Sequence, residues 1–338
     1  MPQFDEALEQ AAEQSDLQAA AARLARQLAR EKERTETLVA AVYQAARDAA
    51  ALHPIRPVDK PPATTRKRRG RPEVAVIHTT DWQCGKRTVS FDSEILARRI
   101  GQMADKIAAI TNVQRADHPV DEAVVILGGD MVEGVSIFPG QVWEVDATVY
   151  EQLFTAAKIM ASLILRMLGE FKTVRVFDVS GNHGRIGRRG DMPRQDNIDT
   201  MLYRIVSERL EGQPRLTWTH CPGWHQIIPI GDYRALVVHG DQIRSFGGNL
   251  PAYGILRKVN AWAAGVLDPF TDAYVGHFHT PQQLAAADGR KVWMTGSPES
   301  DNEFAREFVA ATGTPSQTLN FVDPERGRVT AHYAIVLD

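Results

Sequence analysis

From Glu73 onward the chain alternates short apolar runs with longer stretches in which apolar residues return every three or four positions. The short runs predict strands at Val74–Thr79, Ala123–Leu127, Thr173–Val179, Trp224–Ile230, Tyr233–Val238, Ala273–Val275 and Val292–Met294, with further strands near Gln317–Phe321 and Val329–Ile335. The helical periodicity predicts helices over about Ser93–Arg115, Val145–Leu168, Asn197–Leu210 and Ala252–Ala264. Strands and helices alternate first and hairpins follow, which describes a mixed α/β layered fold with its sites at strand C-termini. No internal repeat is present.

The pattern before Glu73 differs. Residues from about 5 to 52 contain no Gly or Pro and are rich in Ala, Leu, Glu, Gln and Arg, which favours helix at nearly every position. Leu17, Ala21, Leu24, Leu28, Thr35, Leu38, Val42, Ala45, Ala49 and Leu52 form an alternating three-and-four seam broken by Glu31. Such a seam seeks a second copy or a nearby surface. It is rich in Ala and short of Ile and Val, so a solvated helix loosely packed on its own domain is the competing reading. Residues 53–72, "HPIRPVDKPPATTRKRRGRP", then combine four prolines before Thr64 with a basic run after it and predict a disordered or extended linker. The expected organisation is a helical segment over 1–52, a Pro-rich basic linker over 53–72 and a catalytic-type α/β domain over 73–338.

Composition adds two constraints. The formal net charge is only −3, yet the segment from Arg56 to Pro72 holds seven basic residues (Arg56, Lys60, Arg66, Lys67, Arg68, Arg69 and Arg71) against one acid, Asp59. This segregation points to a polyanion partner rather than to uniform solubilisation. Two cysteines, Cys84 and Cys221, make neither a disulfide framework nor a Cys-based zinc site. The N-terminal stretch lacks the basic and apolar regions of a signal peptide, and no apolar run approaches the roughly 20 residues that span a bilayer. A soluble protein of a reducing compartment, the cytoplasm, is the expectation.

The candidate chemistry sits where the apolar runs end. "HTTDWQ" presents Asp81, "VVILGGDMVEG" presents Asp130, "VFDVSGNHGR" presents Asn182 and His183, "ALVVHGDQ" presents His239, and "AYVGHFHT" presents His277 and His279. A His or Asp beside Gly at one turn is usually structural. Five strand ends in order, 38 to 57 residues apart, are not explained that way. Mixed carboxylate, amide and imidazole donors suit a pair of Mn²⁺-, Fe²⁺- or Zn²⁺-like ions. Such pairs need a bridging carboxylate and terminal ligands on each side. Gly128 and Gly129 let Asp130 approach both ions. If His277-Phe278-His279 is extended, its two imidazoles share a face, one for each metal.

The series Asp81-x-Gln83, Gly129-Asp130, Gly181-Asn182-His183, His239-Gly240 and Gly276-His277-x-His279 resembles the calcineurin-like metallophosphoesterase superfamily over about Val74 to Ala285. The resemblance implies an α/β fold, a two-sheet β-sandwich flanked by helices, here preceded by the long N-terminal helix. It implies a hydrolase with two divalent ions, Mn²⁺ foremost, in which a metal-bridging hydroxide attacks phosphorus. Asp81 and His279 would bind one metal, with Gln83 as a weak further ligand or a group behind the ligands. Asn182, His239 and His277 would bind the other, Asp130 would bridge, and His183 would contact the phosphate and protonate the leaving oxygen. Two positions depart from the pattern. Gln83 stands where a His is usual. Gly184 stands where an acid is usual, so His183 needs another orienting group, for which Asp191, Asp196 and Asp241 are candidates.

Three features favour DNA as the substrate. Arg185, Arg188, Arg189 and Arg194 follow His183, where flanking phosphates would lie. Arg69-Gly70-Arg71-Pro72 resembles an AT-hook core, and Arg66, Lys67 and Arg68 extend its charge. The segment Ile137 to Gln141 resembles one in the exonuclease-like small subunit of archaeal family D DNA polymerase. The whole series is also similar to the nuclease subunit of double-strand-break repair complexes and to bacteriophage phosphoesterases, which would place it in a host cytoplasm. Arg244 and Lys258 are candidate pocket residues. Trp82 is the aromatic side chain best placed to touch substrate, the other tryptophans reading as packing residues, and Cys84 reads as a packing residue rather than a nucleophile. The expected activity is exo- or endonucleolytic cleavage of single- or double-stranded DNA. The alternative is a phosphodiesterase or phosphatase for small or cyclic nucleotides. Expected partners are DNA, a second copy through the N-terminal helix, and an ATPase or other replication or repair protein. A DNA-binding scaffold with a vestigial metal site is the remaining reading.

Overall fold

The computed structural model describes residues 21–27, 29–30, 32–34, 36–37, 40–48, 51–52, 54–62, 69–138, 140–187, 192–243, 252–300 and 314–338. The chain divides into two compact units, Met1–Pro54 and Ile55–Asp338. The described residues of the first unit up to 48 are helical, and Leu24 on the predicted seam is exposed.

The second unit contains two β-sheets flanked by helices, the architecture that the resemblance implies. The first sheet has strand order β11-β10-β1-β2-β3-β4, built from β1 (Glu73–Thr79), β2 (Val120–Leu127), β3 (Thr173–Asp178), β4 (Leu216–Thr219), β10 (Ser316–Asp323) and β11 (Arg328–Val336). The second has order β5-β6-β7-β9-β8, from β5 (His225–Ile230), β6 (Tyr233–Val238), β7 (Asp272–Val275), β8 (Gln282–Ala285) and β9 (Lys291–Met294). The helices are α1 (Ser93–Gln114), α2 (Val149–Glu170), α3 (Ile198–Arg209) and α4 (Ala252–Ala261).

Alternation along the strands explains the layering, because successive side chains leave opposite faces of a sheet. Val74, Val76, Val124, Ile126, Phe177 and Val179 from the first sheet pack against Ile228, Ile230, Tyr233, Ala235, Val237, Tyr274 and Trp293 from the second. Leu236, Val238, Ala273, Val275, Val292 and Met294 take the opposite face and meet Ile255 and Val259 of α4. Helix α2 starts at Thr148, whose side chain and that of Glu151 form a reciprocal capping box. Among the described residues α2 alone is long and apolar enough to cross a membrane, and its apolar residues are mostly buried in this domain.

β4 and β8 escape sequence reading because each has four residues at a sheet edge, where one-sided burial leaves little apolar pattern. Part of the predicted linker is also fastened down. Gln213 accepts from Val58 N at 2.9 Å and donates to Arg56 O at 3.0 Å, while Arg215 donates to Val58 O and Asp59 O, each at 3.0 Å. A proline-rich segment presents unpaired carbonyls, and these two long side chains collect them.

Candidate metal centre

Pairing direction brings the functional strand ends together. β1, β2 and β3 are adjacent and parallel in the first sheet, and β6 and β7 are adjacent and parallel in the second. Their C-terminal ends therefore carry Asp81, Asp130, Asn182–His183, His239 and His277 onto one edge of the sandwich. The backbone turns sharply at these points. Among the described residues the non-glycine positions with positive φ are Asp81 (55°), Gln83 (45°), Asp130 (53°), His277 (67°) and His279 (51°), all of them candidate ligands. Left-handed backbone at a non-glycine residue persists only where the surroundings impose it, and such strain gathers at functional sites. Close packing is one such constraint: a Cβ at Gly181 would collide with Asp130, and one at Gly129 with Gly181.

One half of the site joins Asp130, Asn182, His239 and His277. Ligand atoms of Asp130, His239 and His277 lie within 4.8 Å of one another. His239 Nε2 is 2.9 Å from Asp130 Oδ2 and 3.2 Å from Asn182 Oδ1. The His239 Nδ1–H donates to Gly128 O at 2.9 Å, which leaves Nε2 free to bind a cation. Asp199, at the start of α3, accepts from the backbone N–H groups of Asp130, Met131 and Gly181 at 2.9, 3.0 and 2.9 Å and ties the β2 and β3 ends to each other.

The other half joins Asp81, Gln83 and His279. Asp81 Oδ2 accepts from Thr80 Oγ1 and His277 N, each at 2.9 Å, while Oδ1 is buried without a hydrogen-bond partner, 3.3 Å from His279 Nε2. His279 Nδ1 lies 3.1 Å from Glu299. His277 and His279 do not share a face of an extended segment. Phe278 N–H bonds back to Gly276 O, both histidines are left-handed, and the two imidazoles diverge into separate halves of the site.

His183 stands between the halves. Its backbone N–H donates to Asp130 Oδ1 at 2.6 Å, and its Nδ1 lies 2.9 Å from Glu133 O and 3.2 Å from Glu133 Oε2. Glu133 therefore orients His183, a role none of the three aspartates proposed from sequence is seen to fill. Asp241 instead accepts from Arg194 at 3.0 Å, Asp196 makes no such contact, and Asp191 lies outside the described residues. Gln141 in turn donates to Glu133 O and Oε1 at 2.9 and 2.8 Å. Gly184 carries no acid because its Cβ position is taken up by Asn197.

Titration directions test whether cations fit. Burial alone would lower the pKa values of His239 and His279. Asp130 outweighs this for His239, and Asp81 with Glu299 does so for His279, holding each at about 10. Burial and the neighbouring His239 instead lower His277 to about 4. Asp81 and Asp130 are themselves held low, their burial overcome by these histidines. Protons thus sit where positive charge is wanted, and the anchored Nδ1 atoms of His239 and His279 aim Nε2 inward. The buried Asp81 Oδ1, facing only His279 Nε2 among the described residues, and the oxygen and imidazole donors suit divalent ions.

The remaining candidates fall elsewhere. Arg66, Lys67, Arg68, Arg188, Arg189 and Arg244 lie outside the described residues. Arg185 is half-buried beside the site, and among the described residues its Nε has no hydrogen-bond partner. Arg69 is exposed, whereas Arg71 pairs with Asp323 at 3.1 Å and with Glu325, which keeps it on the domain surface. Lys258 lies over the Trp262 ring at 5.9 Å on α4, among apolar residues. Trp82 is fully buried and donates to Thr79 Oγ1 at 2.6 Å, so it packs the core and cannot touch substrate. Glu133 and Glu299 were not read from sequence. Glu133, three residues after Asp130, had a local signal; Glu299 had none.

No family model matches this chain. It is 22% identical over 313 residues to the SPbeta prophage-derived uncharacterized protein YonJ of Bacillus subtilis (strain 168), spanning 88% of this chain and 71% of that protein. Wild-type Vps29 from Entamoeba histolytica, solved with zinc, is similar at 12% identity and a TM-score of 0.33, over 78% of this chain and 99% of its own. A predicted phosphoesterase from Streptococcus pneumoniae TIGR4 aligns at 13% identity and a TM-score of 0.31, over 78% of this chain and 98% of that chain. The 5'-nucleotidase of Candida albicans SC5314 aligns at 11% identity and a TM-score of 0.32, over 83% of this chain and 54% of that chain.

Proposed function

We propose that this chain is a metal-dependent phosphodiesterase of the calcineurin-like metallophosphoesterase superfamily and that it cleaves DNA. The observation that carries the reading is the convergence of Asp81, Asp130, Asn182, His183, His239, His277 and His279 from five strand ends onto one edge of the sandwich, with strained backbone confined among the described non-glycine residues to candidate ligands. Asp130, Asn182, His239 and His277 would hold one divalent ion, and Asp81 and His279 would contribute to a second, Mn²⁺ in each case. When bound, such ions supply Lewis acidity to a phosphate and acidify water.

The chain's own residues do the rest. Burial lowers the pKa of His183, but Asp130 and Glu133 outweigh it and raise it to about 9, and Glu133's share is independent of any ion held by Asp130. The Glu133 contacts occupy Nδ1 and leave the Nε2 proton to move to the leaving oxygen. Arg185, with Nε unpartnered at the site's margin, is a donor for a flanking phosphate. The basic run from Arg66 to Arg69 favours a polyanion over a small nucleotide.

The test uses end-labelled single- and double-stranded DNA with Mn²⁺. Wild type should degrade DNA, His183→Ala should not, and replacing Arg66, Lys67, Arg68 and Arg69 with Ala should weaken the salt-sensitive binding. Cleavage of bis-p-nitrophenyl phosphate or cyclic nucleotides without DNA cleavage would move the substrate to small nucleotides.

A further inference from the structure

Gln83 occupies the position at which the resemblance expects a metal-binding imidazole, and its neighbours decide which end of its amide enters the site. Lys86 is buried, with Nζ 3.3 Å from Gln83 Oε1 and 2.7 Å from Glu299 Oε1. An ammonium can only donate, so the end of the amide that meets it must be the carbonyl oxygen. The NH₂ end then faces the site, with Nε2 3.4 Å from His279 Nε2 and 3.5 Å from His183 Nε2. An amide NH₂ has no lone pair to offer a cation. Turning it over would set NH₂ against a full positive charge in a place where Gln83, Lys86 and Glu299 are all buried, whereas the NH₂ end keeps 3.4–3.5 Å from the two imidazole nitrogens, of which His279 Nε2 gives up its proton when it ligates an ion. The Gln83 backbone is equally committed, since its N–H donates to Asp130 O at 2.9 Å.

The two halves of the centre are therefore unequal. Asp130, Asn182, His239 and His277 offer four donors to one ion. Asp81 and His279 offer two to the other, with Asp130 shared.

We propose that Gln83 is a phosphate-positioning donor and not a metal ligand, so that the Asp81–His279 half fills only when a phosphate group arrives to complete it. The ion at Asp130, Asn182, His239 and His277 is resident. The second enters with the substrate, whose phosphate oxygen takes the place of the missing ligand and accepts from Gln83 Nε2. This rests on the reading of the site as a metal centre for phosphate esters.

Calorimetric titration of the metal-free full-length chain with Mn²⁺, with and without inorganic phosphate, tests it without reference to activity. Without phosphate, one ion per chain should bind, any second being weaker by roughly tenfold or more. Phosphate should bring the second ion in, and Gln83→His should admit it without phosphate. Lys86→Met, which frees the amide to turn, should tighten the second ion as well. If that variant does not fold because Glu299 loses its partner, Gln83→His still decides the matter. Two ions of similar affinity in the phosphate-free wild type, or a Gln83→His variant with unchanged stoichiometry, would overturn the proposal. Absence of any bound Mn²⁺ is a different result, and it would overturn the metal-centre reading beneath it.

Discussion

Glu133 holds His183 twice, through its backbone carbonyl 2.9 Å from Nδ1 and its carboxylate 3.2 Å from the same nitrogen. The pair links β2's end to β3's end and selects which imidazole nitrogen faces the site. The folded pKa of His183, about 9, lies above the ordinary 6.5. The ion pair's contribution to stability is therefore complete below the ordinary value and fades as pH rises through the folded one. A reaction that needs protonated His183 should lose rate over the same upper range. Cations bound at Asp130 cancel part of its pull on the His183 proton and leave Glu133's, so Glu133→Gln reads Glu133's share: the alkaline limb of the pH–rate profile should move to lower pH. An unmoved limb would remove Glu133 from this role.

Asp199 is expected to be the costliest single loss around the site. Its carboxylate is buried and serves three backbone donors from two strand ends. Asp199→Ala leaves those donors unpaired, at about 1–3 kcal/mol each before any relaxation, so a total near 3 kcal/mol or more is expected. Urea unfolding measures it. A loss below about 1 kcal/mol would mean that water or a neighbour takes over the three N–H groups.

Cys84 should be inert although it lies three residues from Asp81. Burial pushes its thiol up to about 12, and Sγ lies 3.8 Å from Ser93 Oγ. Its thiolate is therefore absent at neutral pH, where reactivity needs it. Iodoacetamide at pH 8 should label Cys84 only after denaturation. Rapid native labelling, read by peptide mass spectrometry, would show that the β1 end opens to solvent.

The strap over residues 55–59 should depend on Arg215. Its guanidinium also donates to Phe171 O at 2.7 Å and Leu168 O at 2.8 Å, so one side chain joins the strap to the end of α2. Arg215→Ala should raise amide hydrogen exchange at Val58 and around Phe171 together, while β1 stays protected. Exchange rising at neither place would show that Gln213 holds the strap alone.

Much of this protein could be read from order along the chain. Apolar runs and three-and-four periodicities locate most elements because burial on one face imposes a period on the residues themselves. The candidate metal donors are legible for a related reason: each sits at the end of an apolar run, so strand and candidate ligand are neighbours in sequence. The edge strands β4 and β8 are not legible, because a short, half-exposed strand carries almost no period. Trp82 shows the opposite failure, since adjacency to Asp81 suggested substrate contact and the fold buried it.

What only the tertiary structure decides is partnership between elements far apart in the chain. Lys86 meets Glu299 from the segment that follows β9, Arg71 meets Asp323, and Asp199 reaches back to the end of β2. Local sequence contains no trace of these pairs, because hydrogen bonds and charges act over a few ångströms of space between residues far apart in the chain. For the same reason the sequence by itself places Gln83 in the site, while the buried ammonium of Lys86 decides which end of its amide the site receives.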